Sequence, residues 1–148
     1  MNPAMDRTDP SLDQAYRHHF TVPASAVDQN GHVNNVVYIQ WMQDVATMHF
    51  DAVGGTALMQ AAGATWVVRS HNIEYLAPLF AGEDVTVLTW VVNFRRVRSL
   101  RRYRFLRTAD GALLAKGETD WVFVDTASGR PCKVPDAIVG LLPLLENS

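Results

Sequence analysis

The fold is decided by one stretch, DQNGHVNNVVYIQW at residues 28–41, in which a polar loop passes directly into an amphipathic helix. The loop places a carboxylate, an imidazole and several amides close together. Gly31 permits a sharp turn, and Asn34 or Asn35 is a good N-cap. The first N–H groups of a helix lack an acceptor within it and carry partial positive charge. A carboxylate beside such donors is suited to attack on a carbonyl carbon.

Helical spacing continues beyond this loop to about Val53. The recurring apolar positions are Ile39, Met42, Val45 or Ala46, His49 or Phe50, and Val53. Gly54-Gly55 ends the pattern, and a short second helix is expected over 56–62. Because Trp41 and Met48 broaden the apolar surface, the long helix is expected to be buried on most sides.

The rest of the chain is strand-like. The segments rich in Val, Trp, Tyr and Phe are 65–76, 84–93, 100–108 and 113–125. Asp110-Gly111 predicts a hairpin, an earlier strand is expected at 16–22, and a short terminal helix at 135–145. One long helix followed by four strands predicts an α+β fold with an antiparallel sheet wrapped around one central helix. The open face and edge of such a sheet favour dimerisation.

Length and composition indicate a single domain with its own core. The chain has 148 residues, 48% hydrophobic and 19% charged, as in a soluble globular protein. The polar start, with Pro3 and Pro10, predicts a loose tail over 1–14, with one domain over 15–148. The tail lacks the apolar core of a signal peptide, and no apolar run approaches 18 residues, so we expect no membrane span.

Cysteine and histidine usage bears on the compartment and on metals. Cys132 is the single cysteine, which excludes a disulfide within the chain and indicates a reducing, cytoplasmic location. The five histidines follow no standard ligand spacing, so neither a metal nor another cofactor is expected. His49 lies on the apolar stripe of the helix and is expected to be a core histidine.

Charge is concentrated in one place. The formal net charge is −2, which argues against non-specific binding of nucleic acid. Seven of the 13 basic residues nevertheless fall within residues 95–107, an arginine-rich segment without an acidic residue. Such a strip on an acidic protein favours a compact anionic ligand over a long polyanion.

The opening stretch resembles the signature of the hotdog-fold thioesterases, in the branch that contains 4-hydroxybenzoyl-CoA thioesterases and short acyl-CoA thioesterases. The matching residues are Asp28, Gly31, His32, Val33, Asn34, Asn35 and Tyr38. The Asp-x-Asn-x-His spacing is also similar to that of plant acyl-ACP thioesterases. The likeness extends through residues 73–78, 81–84 and 126–131, and covers about 16–135.

The resemblance implies an acyl-CoA thioesterase that releases CoA and a free carboxylic acid. Asp28 would activate water or attack the thioester to give a mixed anhydride, and the N–H of Asn35 would stabilise the oxyanion. Asn30 would position water or the thioester, whereas His32 would act as an acid or base or support the loop. Gly31 and Tyr38 would border the substrate, although Asn34 and Tyr38 are better explained as cap and packing residues than by a role in the chemistry.

One position departs from the family pattern. Many members carry a glutamate five residues after the motif tyrosine, but this position is Gln43, beside Asp44. A second carboxylate from the helix is therefore not expected to assist Asp28.

The arginines suit the phosphates of CoA, because guanidinium groups form forked contacts with phosphate. The candidates are Arg98, Arg101, Arg102, Arg104 and Arg130. The alternative interpretation is that they are ordinary exposed strand residues. The family binds the nucleotide near a subunit interface, so a homodimer or homotetramer is expected.

Two other functions remain open: a hydratase or dehydratase of the same fold, and a non-catalytic module that binds acyl-CoA or RNA. The hydratases usually place a histidine five residues after the aspartate, whereas His32 follows Asp28 by four. The acyl group, aromatic or short to medium aliphatic, is left open, as is the choice between CoA and acyl-carrier protein.

Overall fold

The computed structural model describes residues 12–145, which form a five-stranded antiparallel sheet with one long helix. The elements are β1 (Tyr16–Thr21), a 3₁₀ turn (Ala24–Ala26), α1 (Asn35–Ala52), α2 (Gly55–Ala61), β2 (Ala64–Tyr75), β3 (Asp84–Arg95), β4 (Arg98–Arg107), β5 (Leu113–Asp125) and α3 (Asp136–Val139). The strand order is β1-β3-β4-β5-β2, and every neighbouring pair is antiparallel. The predicted α+β architecture is confirmed.

The helix α1 packs across the inner face of the sheet through its apolar stripe. Met42, at its centre, is fully buried, and Tyr38 lies one turn before it. Gly117 on β5 makes the close approach possible, since a Cβ atom there would lie 2.9 Å from the Met42 sulfur. Phe105 on β4 completes this contact, with its ring centroid 5.0 Å from that of Tyr38. The sheet therefore holds α1 in one fixed register.

The expectation that α1 is buried on most sides is wrong. Val36 is 73% exposed and Met48 is 39% exposed, because the single sheet covers only one side of the helix. The strands β1 and β2 are the two edges of the sheet, and within residues 12–145 β1 pairs with β3 alone and β2 with β5 alone. One face of the helix is therefore uncovered, and each edge strand has one side without a paired strand.

Two further expectations need correction at the ends of the domain. The terminal helix expected over 135–145 is only the four-residue α3, which stops at Gly140 before Pro143 can interrupt a further turn. The loose tail expected over 1–14 lies mostly outside the described residues. Leu12, however, is buried against Trp90 on the outer face of the sheet and so belongs to the folded domain.

No helix within residues 12–145 is both long enough and apolar enough to cross a membrane.

Candidate active site

The loop before α1 is a tight turn built around Asp28. The Asp28 N–H donates to the His32 carbonyl (2.8 Å), and the Gly31 N–H donates to the Asp28 carbonyl (3.0 Å). Gly31 has a φ of 82°, which a residue with a side chain rarely adopts. The Asn30 N–H donates to Asp28 Oδ1 (2.9 Å), whereas Oδ2 has no hydrogen-bond partner within residues 12–145. Asp28 therefore caps its turn with one oxygen and leaves the other available.

The start of α1 leaves one backbone donor unused. Asn34 is the N-cap: its Oδ1 accepts from the Val36 N–H (3.0 Å), and its carbonyl accepts from the Val37 N–H (2.9 Å). The Asn34 N–H itself donates to the Ala26 carbonyl (2.9 Å). The Asn35 N–H has no acceptor in the described part of the chain. It is thus the free donor of the first helical turn.

Asp28 and the helix start border the same open pocket of about 560 Å³. Its lining residues are Asp28, His32, Val33, Asn34, Asn35, Tyr38, Tyr75, Leu76, Ala77, Pro78 and Leu79. The structure therefore brings together four residues predicted from the sequence: Asp28, His32, Asn35 and Tyr38. Asn30 and Gly31 are outside the lining and shape the loop through their backbone.

His32 and Tyr38 differ in their surroundings. His32 is exposed, and its ring packs edge-on against Phe80 with a centroid distance of 5.0 Å. Tyr38 is only 3% exposed, and burial, reinforced by nearby Tyr75, raises its pKa to about 12. Tyr38 is therefore protonated at neutral pH and packs one wall of the pocket.

Two residues that hold this pocket together were not predicted from the sequence. The Tyr75 hydroxyl donates to the Asn35 carbonyl (3.0 Å), which links the end of β2 to the start of α1. Arg107 donates to the Pro78 carbonyl (3.1 Å) and to Glu83 (3.0 Å) and so fixes the loop after β2. Tyr75 could have been found from the sequence, because it lies in the family-like segment 73–78. Nothing in the sequence distinguishes Arg107 from the other arginines of residues 95–107.

Gln43, at the position where many relatives carry glutamate, faces a shallow groove that it shares with Asn35. Its amide donates to His71 Nε2 (3.3 Å), and His71 Nδ1 pairs with the Thr119 hydroxyl (2.9 Å). Burial lowers the pKa of His71, which favours the neutral ring. Asp44, next to Gln43, is exposed and accepts from Gln40 (2.9 Å). The groove thus contains the Gln43 amide at the position where many relatives carry a glutamate carboxylate.

The candidate arginines are dispersed over the sheet. Arg102 and Arg104 alternate with core residues of β4, so they lie on the face away from α1. Arg102 pairs with Glu118 (3.3 Å), and Arg98 pairs with Asp120.

Arg101 and Arg130 are separated from that group. Arg101 points inward and is only 4% exposed, which disfavours its predicted contact with a CoA phosphate bound on the outer surface. Arg130 follows β5 at the end of the sheet opposite the Asp28 loop. Within one chain, none of the five predicted arginines borders the Asp28 pocket.

No cluster of three or more His, Cys, Asp or Glu residues suited to a metal is present within the part of the chain that the structure describes. His49 is a core residue, as predicted, and is 7% exposed.

Residues 22–142 match a family profile described as the thioesterase-like superfamily. The chain is 32% identical over 130 residues to L-carnitine dehydrogenase/betainyl-CoA thioesterase of Agrobacterium fabrum, which covers 87% of this chain and 26% of that protein. It is 30% identical over 114 residues to "Putative acyl-CoA thioesterase YneP" of Bacillus subtilis, which covers 70% of this chain and 75% of that protein. The chain therefore spans about a quarter of the Agrobacterium protein.

Among solved structures, an acyl-ACP thioesterase from Bacteroides thetaiotaomicron is similar with a TM-score of 0.82 and 21% identity. The match covers 93% of this chain and 56% of that one. A likeness at this level of identity shows the fold alone, and it agrees with the predicted hotdog architecture.

Proposed function

Because the chain belongs to the thioesterase-like superfamily, we propose that it hydrolyses acyl-CoA thioesters to a free carboxylic acid and CoA. The predicted enzyme class, a thioester hydrolase, is supported by that family membership and by relatives that are named thioesterases. The choice of CoA over acyl-carrier protein is part of the proposal, supported by the two relatives, whose names refer to CoA thioesters.

The observation that carries the proposal is the pairing of an available carboxylate oxygen with a free backbone donor in one pocket. Asp28 Oδ2 and the Asn35 N–H are both unpaired within residues 12–145, and both residues border the pocket. A thioester carbonyl placed between them would meet an anion or an activated water on one side and an N–H donor on the other.

Two routes fit this arrangement. In the first, Asp28 takes a proton from water as the water attacks the carbonyl carbon, and the proton then passes to the departing CoA thiolate. In the second, the Asp28 carboxylate attacks, CoA leaves as the thiolate, and water hydrolyses the resulting mixed anhydride. In both routes the Asn35 N–H would stabilise the negative oxygen of the tetrahedral intermediate.

Asp28→Asn tests this proposal, because it keeps the shape of the side chain and the acceptor for the Asn30 N–H while removing the charge. Thiol release from a panel of aromatic and aliphatic acyl-CoA substrates should fall by at least about a hundredfold. Asp125→Asn is a matched control, since Asp125 Oδ1 caps a similar turn, accepting from the Ala127 N–H (2.8 Å), at the far end of the sheet.

A folded Asp28→Asn protein with the activity of the Asp125→Asn control would exclude the proposed role of Asp28. Hydration of enoyl-CoA without thiol release would identify a hydratase. Binding of acyl-CoA without either reaction would identify a non-catalytic module.

A further inference from the structure

A second cavity, of about 240 Å³, lies beneath the C-terminal half of α1. Its lining is mainly apolar and aromatic and includes Thr47, Phe50, Thr56, Trp66, Phe94 and Arg101. It shares no residue with the Asp28 pocket. Thr47 is exposed and Thr56 is half-buried, so the cavity opens to the surface between α1 and α2.

Arg101 supplies a buried positive charge to this cavity. Its two hydrogen bonds within the described residues both leave from Nη1, which donates to His49 Nδ1 (2.9 Å) and to Thr89 Oγ1 (3.0 Å). A guanidinium carries five N–H donors and does not lose its proton in proteins. The cation therefore has donors left over after these contacts.

Both partners of Arg101 are neutral. Burial, together with the Arg101 charge, lowers the pKa of His49 to about 4, so the ring is uncharged at neutral pH and accepts through Nδ1. No carboxylate within residues 12–145 lies within ion-pair distance of Arg101. A buried charge without a counter-ion is costly, so an anion that enters this cavity gains an unusually favourable partner.

We propose that this cavity binds a free organic carboxylate with an apolar, aromatic-sized body, and that Arg101 holds the carboxylate. The fork of a guanidinium matches the two oxygens of a carboxylate. A phosphate would leave further oxygens against apolar walls and is disfavoured for that reason.

The walls fit the body of such an acid. Trp66 packs edge-on against Phe50 with a centroid distance of 6.2 Å and lies 6.4 Å from Phe94, so three aromatic rings in contact form part of the wall. The volume equals that of roughly eight waters at about 30 Å³ each, enough for a small ring with a short acidic arm.

The site is distinct from the Asp28 pocket within one chain. His49, the partner of Arg101, follows Asn35 by fourteen residues of helix, which spans about 21 Å. A short acyl group bound at Asp28 does not reach Arg101 over that distance. The inference therefore stands independently of the proposed hydrolysis, although carboxylic acids are also the product class of that reaction.

Calorimetric titration with 3-phenylpropionate tests the site directly, with the uncharged 3-phenylpropionamide and inorganic phosphate as comparison ligands. The wild-type protein should bind the acid at least about tenfold more tightly than the amide, as expected for a charge-assisted contact. Phosphate should not compete.

Two variants test the Arg101 charge and the space in the cavity one at a time. Arg101→Met should abolish the preference for acid over amide. Thr56→Phe, which leaves Arg101 in place and fills the cavity, should weaken binding of both ligands at least about tenfold. Circular dichroism establishes that each variant is folded.

Three results would overturn the inference: equal affinity of the wild-type protein for acid and amide, an acid preference retained in Arg101→Met, or unchanged binding in Thr56→Phe. If Arg101→Met does not fold, the wild-type ligand comparison and Thr56→Phe still decide the question.

Discussion

Charges of opposite sign lie beside the two ends of α1. One of them is exposed to solvent, and the other is buried. At the N-terminal end, Asp28 lies in an exposed loop beside a free backbone N–H. At the C-terminal end, Arg101 is buried against His49, which belongs to the last turn. Both charges complement the helix dipole, the anion at the positive end and the cation at the negative end.

The difference in hydration separates what each end can do. Hydrolysis needs water and proton exchange, which are available to an exposed carboxylate. A guanidinium does not lose its proton in proteins, so buried Arg101 exchanges no proton and is suited to holding an anion. In the two proposals, the placement of charge along one helix would separate a reactive end near Asp28 from a binding end near Arg101.

The largest expected effect is the loss of kcat when the free N–H at the N-terminal end of α1 is removed. Asn35→Pro removes the single free N–H at the first helical position, where proline is well tolerated. Asn34 before it has extended backbone angles (φ −65°, ψ 132°), as a residue preceding proline requires. If this N–H stabilises the oxyanion, kcat should fall by about 10²- to 10³-fold.

Asn35→Ala is the matched control, because it removes the side chain but keeps the N–H, and its kcat should stay close to that of the wild type. Equal losses in the proline and alanine variants would assign the effect to the side chain or to the fold. Melting temperatures of both variants show whether the helix start is intact.

Much of this architecture was predictable from sequence periodicity. The 3.6-residue repeat from Ile39 to Val53 and the apolar strands that follow gave the helix and the sheet. The polar loop also predicted that Asp28 and Asn35 would border one pocket, because the two residues are close in sequence and a helix start fixes their relation. Local chemistry of this kind is visible without a structure.

Contacts between distant elements were not predictable in the same way. Arg101 and His49 are 52 residues apart, and a charged strand residue is normally expected at the surface. The alternation in β4 placed Arg101 on the same face as Tyr103, but only the sheet register shows that this face is covered by α1. The Arg107 contact to Pro78 also depends on how the loop after β2 folds back.

The second prediction concerns the pH dependence of stability, which depends on His49 at the C-terminal end of α1. His49 has a pKa of about 4 when folded and about 6.5 when unfolded, so protons bind preferentially to the unfolded chain between these values. The stability that the neutral His49 ring contributes is fully present above about pH 6.5. It is lost as the pH falls towards 4, by about 2 kcal/mol in the free energy of unfolding.

His49→Gln should remove that component, because glutamine keeps an acceptor for Arg101 but does not titrate. Urea unfolding at about pH 7.5 and about pH 4.5 measures the free energy of unfolding for both proteins. His71, whose pKa is also lowered by burial, is present in both and cancels in the comparison. The same pH dependence in both proteins would contradict the assignment to His49.

The smallest expected effect concerns the arginines outside both ends, Arg98, Arg102 and Arg104. Because Arg102 and Arg104 lie on the face away from α1, they can contact CoA phosphates at an Asp28 pocket only in another copy of the chain. We therefore expect an assembly of at least two copies, consistent with the open edge of β2, and scattering mass in solution measures it.

Each alanine variant of these arginines should raise KM roughly two- to fivefold and leave kcat nearly unchanged, because the contact is remote from the thioester carbon. The rise should shrink with added salt, since exposed charges are screened. Acyl-pantetheine thioesters, which lack the phosphates, should be indifferent to the substitutions. Arg69→Ala is a matched control for Arg98→Ala, because both arginines pair with Asp120. Equal changes in KM for acyl-CoA and acyl-pantetheine would show that these arginines act through the fold. A scattering mass of a single chain would exclude CoA binding to them from a neighbouring copy.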